Sequence, residues 1–489
     1  MTLQRKNVLP ALLVAAGVLV ILAKQFAWAA LVPALQTPDE QAHFAQLQYY
    51  AENRTLSLSG QNLSAELAAA EKLLGTYRDR FSNNRFTYHP QFNIPYTRGS
   101  EGKYEKEINS FAKSARTEYV GQEAAAYPPL YYVLDLPFYN LVYDHGLIDR
   151  IFVSRLLSVL LLIPLTLVAW QTGRVVWGGK IMPFALAAMV AFQPMISFVS
   201  AGIHPDNLLN FLYSLGILLL LLILKNGNRI RYLICLSVVV FLGLETKPLM
   251  FLFVPLSAAV FFWKTKLGRT RILLAAAALS APVVIFFFQI KMPFVPTVSL
   301  NSPLASMTFV DYLRFRLPKM AFEVWPWYWG VFKWLGVTLP PNVLKIITRL
   351  GILGGLGILA KLTLAVKRRD FSFKTEALIF FLLSSIFYFL YLILWDWRLM
   401  QANGFSQGLQ GRYFFPNIVG QMALLLAGLT VWRRFQKPLA VAAVFAMIAL
   451  NLVALHTVAA SYYDLSSLHV FLTQMAQYKP GLIKMFATM

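Results

Sequence analysis

Residues 151–172 read IFVSRLLSVLLLIPLTLVAWQT, a run with a single charge, Arg155. A bilayer core asks for about 20 such residues. No water is present there to satisfy peptide groups, so an uninterrupted apolar run that crosses must be a helix. Runs of the same kind recur at 7–33, 180–200, 206–225, 231–245, 248–264, 271–290, 343–366, 375–395, 411–432 and 437–459. The pair at 231–264 is short and divided only by Glu245-Thr246-Lys247-Pro248, the pattern of a tight hairpin of two spans. The chain has 489 residues, 58% hydrophobic and 13% charged, and the charged share is about half the soluble norm of roughly 25%. The sequence predicts an all-α polytopic membrane protein of about eleven transmembrane helices.

The net charge of +22 would point to nucleic acid in a soluble protein. Here the basic residues bunch between apolar runs, at Arg5/Lys6, Arg174/Lys180, Lys225/Arg229/Arg231, Lys264/Lys266/Arg269/Arg271, Lys367/Arg368/Arg369/Lys374 and Arg433/Arg434/Lys437. That is how loops are held in the cytoplasm, and it excludes nucleic acid as the partner. These basic connections alternate with connections nearly balanced in sign, which places the N-terminus in the cytoplasm and the C-terminus outside. Two long connections, 34–150 and 291–342, then lie outside, as does a tail at 461–489. Residues 1–460 form one membrane unit, expected in the plasma (inner) membrane of a bacterium. Ala27-Trp28-Ala29 resembles a leader-cleavage site, but the apolar stretch before it outruns the usual h-region of roughly 7–15 residues and reads as a retained first helix. Cys235 is the only cysteine, so no internal disulfide forms.

Chemistry-bearing stretches gather in the connections assigned outside. Thr37-Pro38-Asp39-Glu40-Gln41-Ala42-His43-Phe44 follows the first span. Asp39 and His43 are four apart and share a face on a helix; a carboxylate there suits general-base chemistry on a sugar hydroxyl. The same residues also read as a helix start, with Thr37 and Glu40 as a capping box and Pro38 at the first helical position. A third reading makes Asp39, Glu40 and His43 ligands of a divalent cation such as Mn2+, Zn2+ or Mg2+, although no second His or Asp cluster lies near in sequence. No other cofactor is indicated.

Tyr127-Pro128-Pro129-Leu130-Tyr131-Tyr132 reads as structural, its tyrosines at the interface. His204-Pro205-Asp206-Asn207 opens the fourth span, either as an ordinary helix start or facing a substrate pocket. Lys247 reads either as the partner of Glu245 or as a phosphate ligand. Trp325-Pro326-Trp327-Tyr328-Trp329-Gly330 reads as an interfacial belt, or as a surface for a sugar or a lipid tail. In Gln410-Gly411-Arg412-Tyr413-Phe414-Phe415-Pro416, Gly411 permits close approach, and the Arg412 guanidinium suits two parallel bonds to a lipid phosphate; the bland reading is an arginine snorkelling to headgroups.

The order Pro-Asp-Glu-x-x-His-Phe, Tyr-Pro-Pro-Leu-Tyr-Tyr, Pro-Asp, Lys-Pro, Tyr-Trp-Gly-x-Phe-x-Trp-Leu and Gln-Gly-Arg-Tyr-x-x-Pro resembles a bacterial membrane-protein family catalogued as domain of unknown function 2142. That family looks like a branch of the GT-C superfamily of integral-membrane glycosyltransferases. The resemblance spans roughly 30–420. It implies a GT-C-like fold with Asp39, beside Glu40, in the place of the catalytic base. Arg412 and Lys247 match the basic residues that bind the carrier phosphate. His43 falls on the motif without an implied role. Phe332-Lys333-Trp334 departs from the Phe-Gly-Trp of relatives.

Taken together these features predict transfer of a sugar from a polyprenyl-phosphate donor to a glycan, lipid or protein acceptor. The candidate catalytic residues are Asp39, Glu40 and His43; the candidate phosphate and substrate contacts are Arg412, Lys247, His204, Asp206, Gln410, Tyr413 and Trp329. The alternatives are a transporter or flippase of lipid-linked glycans, which would favour charge on broken helices at the midplane, and a non-enzymatic scaffold.

Overall fold

The computed structural model describes residues 2–57, 60–79, 82–92, 106–123, 127–288, 295–299, 301–370, 372–406 and 409–463, with the side chains of 2–14 and 433 left aside. Most of the tail predicted at 461–489 thus lies outside the described residues.

Helices occupy the predicted apolar runs. They are α1 (Thr2–Leu31), α5 (Leu147–Trp177), α8 (Asp206–Asn226), α9 (Ile230–Leu244), α10 (Phe253–Trp263), α11 (Thr270–Phe287), α14 (Pro341–Arg368), α15 (Phe373–Asn403), α16 (Ile418–Leu429) and α17 (Gln436–Tyr463), with 180–200 divided between α6 (Ile181–Ala191) and α7 (Pro194–Val199). Six described helices are long and apolar enough to cross a membrane: α5, α8, α11, α14, α15 and α17. α5 and α8 form the packed centre with α6. By contrast α14, α11 and α17 turn Ile352, Leu356, Leu359, Leu273, Phe445 and Leu452 outward. So much outward apolar surface is unfavourable in water and favourable in lipid.

The run at 180–200 is two helices rather than one. Pro194 has no N–H to continue the ladder, and the chain turns at Phe192–Gln193. Side chains satisfy the freed backbone groups. Asn451 donates to Phe192 O at 3.1 Å, Lys24 Nζ to Ala191 O at 2.8 Å, and Gln25 to Ser197 O at 2.7 Å. Such compensation is what permits a helix break at membrane depth.

The two long connections are folded against one end of the bundle. The first holds α2 (Glu40–Asn53), α3 (Ala65–Leu74), α4 (Leu130–Leu141) and a small antiparallel ladder, β1 (Leu63–Ser64) with β2 (Tyr119–Gly121). Ser64 caps α3 by accepting from Leu67 N. Buried Arg150 ties this layer to α5 by pairing with Glu66 and donating to Tyr139 Oη at 2.8 Å. The second holds α12 (Phe309–Met320), α13 (Val324–Trp329) and the hairpin β3 (Val331–Phe332) with β4 (Val337–Thr338). Arg316 anchors α12 to Asp396 of α15 at 2.9 Å. In the hairpin Lys333 takes a left-handed φ of 49°, a conformation that Gly adopts without strain. Its ammonium donates to Pro90 O and Ser461 O, each at 2.8 Å, bonds that a glycine there would lack.

Candidate active site

The site grows from the joint between α1 and α2. The last carbonyls of a helix lack partners within it. Here Arg155, fully buried on α5, supplies them, donating to Ala29 O, Val32 O and Pro33 O at 2.6–2.8 Å. The same guanidinium grips Glu40 with two bonds of 2.6 Å. The Glu40 carboxylate also accepts from the amides of Leu35 at 2.9 Å and Ile203 at 3.3 Å. The capping box therefore does not form. α2 begins at Glu40, its cap is Asp39, and Thr37 Oγ1 is buried without a hydrogen-bond partner. Glu40 has a stronger, charged partner at long range. Both of its carboxylate oxygens are occupied by Arg155 and by backbone amides.

Asp39 is left at the turn with a left-handed φ of 55°, which Asp tolerates better than most residues. Its Oδ2 accepts from Arg412 Nη2 at 2.6 Å, and its Oδ1 from Arg78 Nη1 at 3.1 Å. Arg412 rides on a 3-10 turn, Gly411–Asn417, that leads into α16. A side chain at 411 would collide with the backbone of Trp327 and Tyr328, so glycine is what lets this turn press against α13. The Asp39 side chain is 36% exposed and that of Arg412 only 4%. Arg412 Nε is buried and has no hydrogen-bond partner. Burial by itself would raise the Asp39 carboxyl, but Arg412 and then Arg78 outweigh it and hold the group well below the usual carboxylate range.

Two imidazoles complete the cluster. His204 Nε2 lies 3.3 Å from Arg412 Nη1, and its Nδ1 accepts from Asp206 N at 3.1 Å. The imidazole thus bridges the Arg412 guanidinium and the start of α8, where its Nδ1 also lies 3.5 Å from the Asp206 carboxylate. His43 Nδ1 bonds Tyr132 Oη at 2.9 Å, and its ring meets that of His204 edge-on at 4.5 Å. Burial, helped by Lys247 and Arg412 for His204 and by His204 and Lys247 for His43, holds both imidazoles well below their usual pKa. Lys247 pairs with Asp206 at 2.6 Å and lies over the Tyr127 ring at 4.6 Å. Burial lowers its pKa, Asp206 raises it, and the balance is upward.

Asp39, His43, His204 and Arg412 thus meet in one cluster, with Lys247 and Asp206 beside it. The Glu245–Lys247 pair read from sequence is replaced by Asp206–Lys247, while Glu245 offers its carbonyl to Leu130 N at 3.1 Å. Gln410 contributes a backbone carbonyl to Tyr413 N, and the Tyr413 ring flanks Arg412 at 5.4 Å. Trp329 lies in an apolar wall, its indole Nε1 buried and without a hydrogen-bond partner. The supposed ligand set of Asp39, Glu40 and His43 is not assembled, because Arg155 holds Glu40 while guanidiniums hold Asp39. Among the described residues no three His, Cys, Asp or Glu side chains gather as a metal site. Arg78 and Tyr132 were not legible as site residues. Arg78 sits in an unremarkable polar stretch, and Tyr132 read as an interfacial tyrosine.

The fold and this cluster define a polytopic helical membrane protein with an ion-paired polar centre at one end of its bundle. The chain belongs to the DUF2142 family of predicted membrane proteins, whose family model matches residues 22–421. No curated protein matches it. Among solved structures it is similar to the archaeal oligosaccharyltransferase AglB from Archaeoglobus fulgidus in complex with an inhibitory peptide and a dolichol-phosphate, with 14% identity, a TM-score of 0.46, and coverage of 98% of this chain and 59% of that one. The A. fulgidus oligosaccharyltransferase in its apo form gives 14%, 0.45, 96% and 59%. The complex with Zn and sulfate gives 14%, 0.45, 96% and 56%. The chain therefore spans less than three fifths of the length of these structures.

Proposed function

We propose that this protein is a membrane glycosyltransferase that moves a sugar from a polyprenyl-phosphate donor to an extracytoplasmic acceptor. One observation carries the reading: the acid of the first connection and the guanidinium of the 411–417 turn meet in a cluster that also holds an unpartnered arginine Nε and the imidazoles of His43 and His204. A guanidinium with one N–H to spare, beside a second cation in Lys247, suits an anion, and a phosphate is the anion that a polyprenyl-phosphate donor brings.

The donor phosphate docks on Arg412 and His204, with Lys247 released from Asp206 to join them. The bond from the anomeric carbon to the phosphate oxygen breaks as the acceptor oxygen attacks from the opposite face. The electron pair leaves on the phosphate, stabilised by Arg412 and Lys247, and the acceptor proton passes to Asp39. The anomeric centre inverts. Held by two guanidiniums, Asp39 is a weak base. Once phosphate competes for Arg412, Asp39 loses its closest cation and gains basicity. Arg78 keeps the freed carboxylate in place, and Glu40 serves as scaffold.

The test is a transfer assay with radiolabelled polyprenyl-phosphate sugar and purified protein in liposomes. Asp39→Asn is expected to lose roughly 10²–10⁴-fold in turnover, the usual weight of a general base; unchanged turnover removes Asp39 from that role. A transporter or flippase is the second reading, favoured by Lys24 at the broken helix α6/α7. It predicts loss of lipid-linked glycan flux across liposomes in Lys24→Met with no sugar transfer in the wild type.

A further inference from the structure

A cavity of about 790 Å3 opens between α12, α13, α14, α15 and α16, within the roughly 300–1,000 Å3 usual for ligand sites. Its walls are apolar, with Trp325, Tyr328, Phe389 and Phe414 among them. Gln421, a polar exception, accepts from Tyr328 Oη at 2.7 Å and donates to Phe414 O at 3.1 Å, so its polarity is already satisfied by the wall.

Glycines of α14 form one side. Gly354 and Gly357 have a packing reason, since their added Cβ atoms would strike Leu425 and the backbone of Gly428 on α16. Gly355 has none. A Cβ there meets no atom within 4 Å and looks into open space. With Gly351 and Gly354 it leaves the cavity-facing side of α14 free of side chains over about a turn.

The cavity wall and the ion-paired cluster share one short element. Phe414 of its wall and Arg412 of the site share the 3-10 turn Gly411–Asn417, and Gly411 packs on the backbone of Tyr328, another wall residue. A ligand whose phosphate rests on Arg412 finds this cavity as the adjoining apolar surface. Resting on the transferase reading above, we propose that the cavity between α12 and α16 binds the isoprenoid chain of the donor, while the 411–417 turn joins that chain to the phosphate site.

The experiment uses the full chain in nanodiscs and a radiolabelled, diazirine-bearing polyprenyl phosphate without sugar. The expected label falls on α14 and α16 peptides and is displaced by unlabelled polyprenyl phosphate, but not by dioleoyl phosphatidic acid or inorganic phosphate. Gly355→Trp, and Gly355→Leu should the larger side chain unfold the protein, lowers labelling about tenfold at unchanged melting temperature. Undiminished labelling in a folded Gly355 variant overturns the proposal. So does equal displacement by phosphatidic acid, which marks the cavity as a seat for ordinary bilayer lipid. Blocked labelling in a protein that transfers no sugar supports the cavity while removing the transferase reading. Transfer with a long-chain KM unaffected by the Gly355 variants does the reverse.

Discussion

Asp39 and Arg412 lie 373 residues apart in sequence and 2.6 Å apart in space. The pair joins the turn after the first helix to the turn before α16, so it holds two distant segments as well as standing at the proposed reacting centre. A double-mutant cycle separates the two roles. Asp39 is over a third exposed, and solvent screening limits the pair's share of stability to about 1 kcal/mol or less. Asp39→Asn and Arg412→Gln are expected to shift thermal melts slightly and equally, the double variant no more than either single one. Residues that act as a unit lose activity non-additively, so in sugar transfer the double variant also matches the weaker single variant. Additive losses of activity would mean that the two residues serve separate steps.

Glu40 and Arg155 are the opposite case, both fully buried. Removing one partner of such a pair leaves a charge uncompensated, at roughly 3–5 kcal/mol. Glu40→Gln and Arg155→Met are expected to lower the melting temperature strongly and to reduce folded yield, whereas Asp39→Asn spares both. A Glu40→Gln protein that melts like wild type yet transfers no sugar would restore Glu40 to the chemistry.

How far the sequence foretold these arrangements depends on the range of the forces involved. Apolar runs such as 206–225 and 343–366 were legible because a helix in lipid is decided locally, by length and composition. The need for glycine at 411 was legible for a similar reason: Gly followed by Arg at a helix entry implies close approach. The capping box failed because the choice was made by Arg155, 115 residues away, and nothing within Thr37–Glu40 reports it. Lys247 likewise pairs across the bundle with Asp206 rather than with its neighbour Glu245. The break at Phe192–Gln193 did have a signal in Pro194, outweighed in the reading by the apolar run around it. Arg78 had no signal, since its place beside Asp39 is set by the fold of the whole first connection.

Two buried imidazoles bear on the protein's stability in acid. His43 and His204 have folded-state pKa values below the usual 6.5, because burial and nearby cations disfavour the charged ring. The unfolded chain therefore binds protons first as pH falls. The stability these rings contribute is fully present above about 6.5 and is lost progressively below it. Melting temperatures measured from pH 8 to pH 5 should fall with acid, and the slope should flatten in His43→Asn/His204→Asn. An unchanged slope in that variant would place the acid sensitivity elsewhere.

Gly411 offers the sharpest separation of packing from chemistry. The methyl group of Gly411→Ala meets the main chain of Trp327 and Tyr328, which has no rotamer through which to yield. The turn must move away from α13, at roughly 1–3 kcal/mol by the usual scale of overpacking. Arg412, the next residue, moves with it, and the 2.6 Å contact with Asp39 opens. Gly17→Ala is the control, since its added methyl meets nothing within 4 Å. The expected result is a modest fall in melting temperature for Gly411→Ala with a much larger loss of sugar transfer, and neither for Gly17→Ala. Because a misplacement of about 1 Å can cost on the order of 10²-fold in rate, full transfer by Gly411→Ala would show that the position of Arg412 does not govern the reaction.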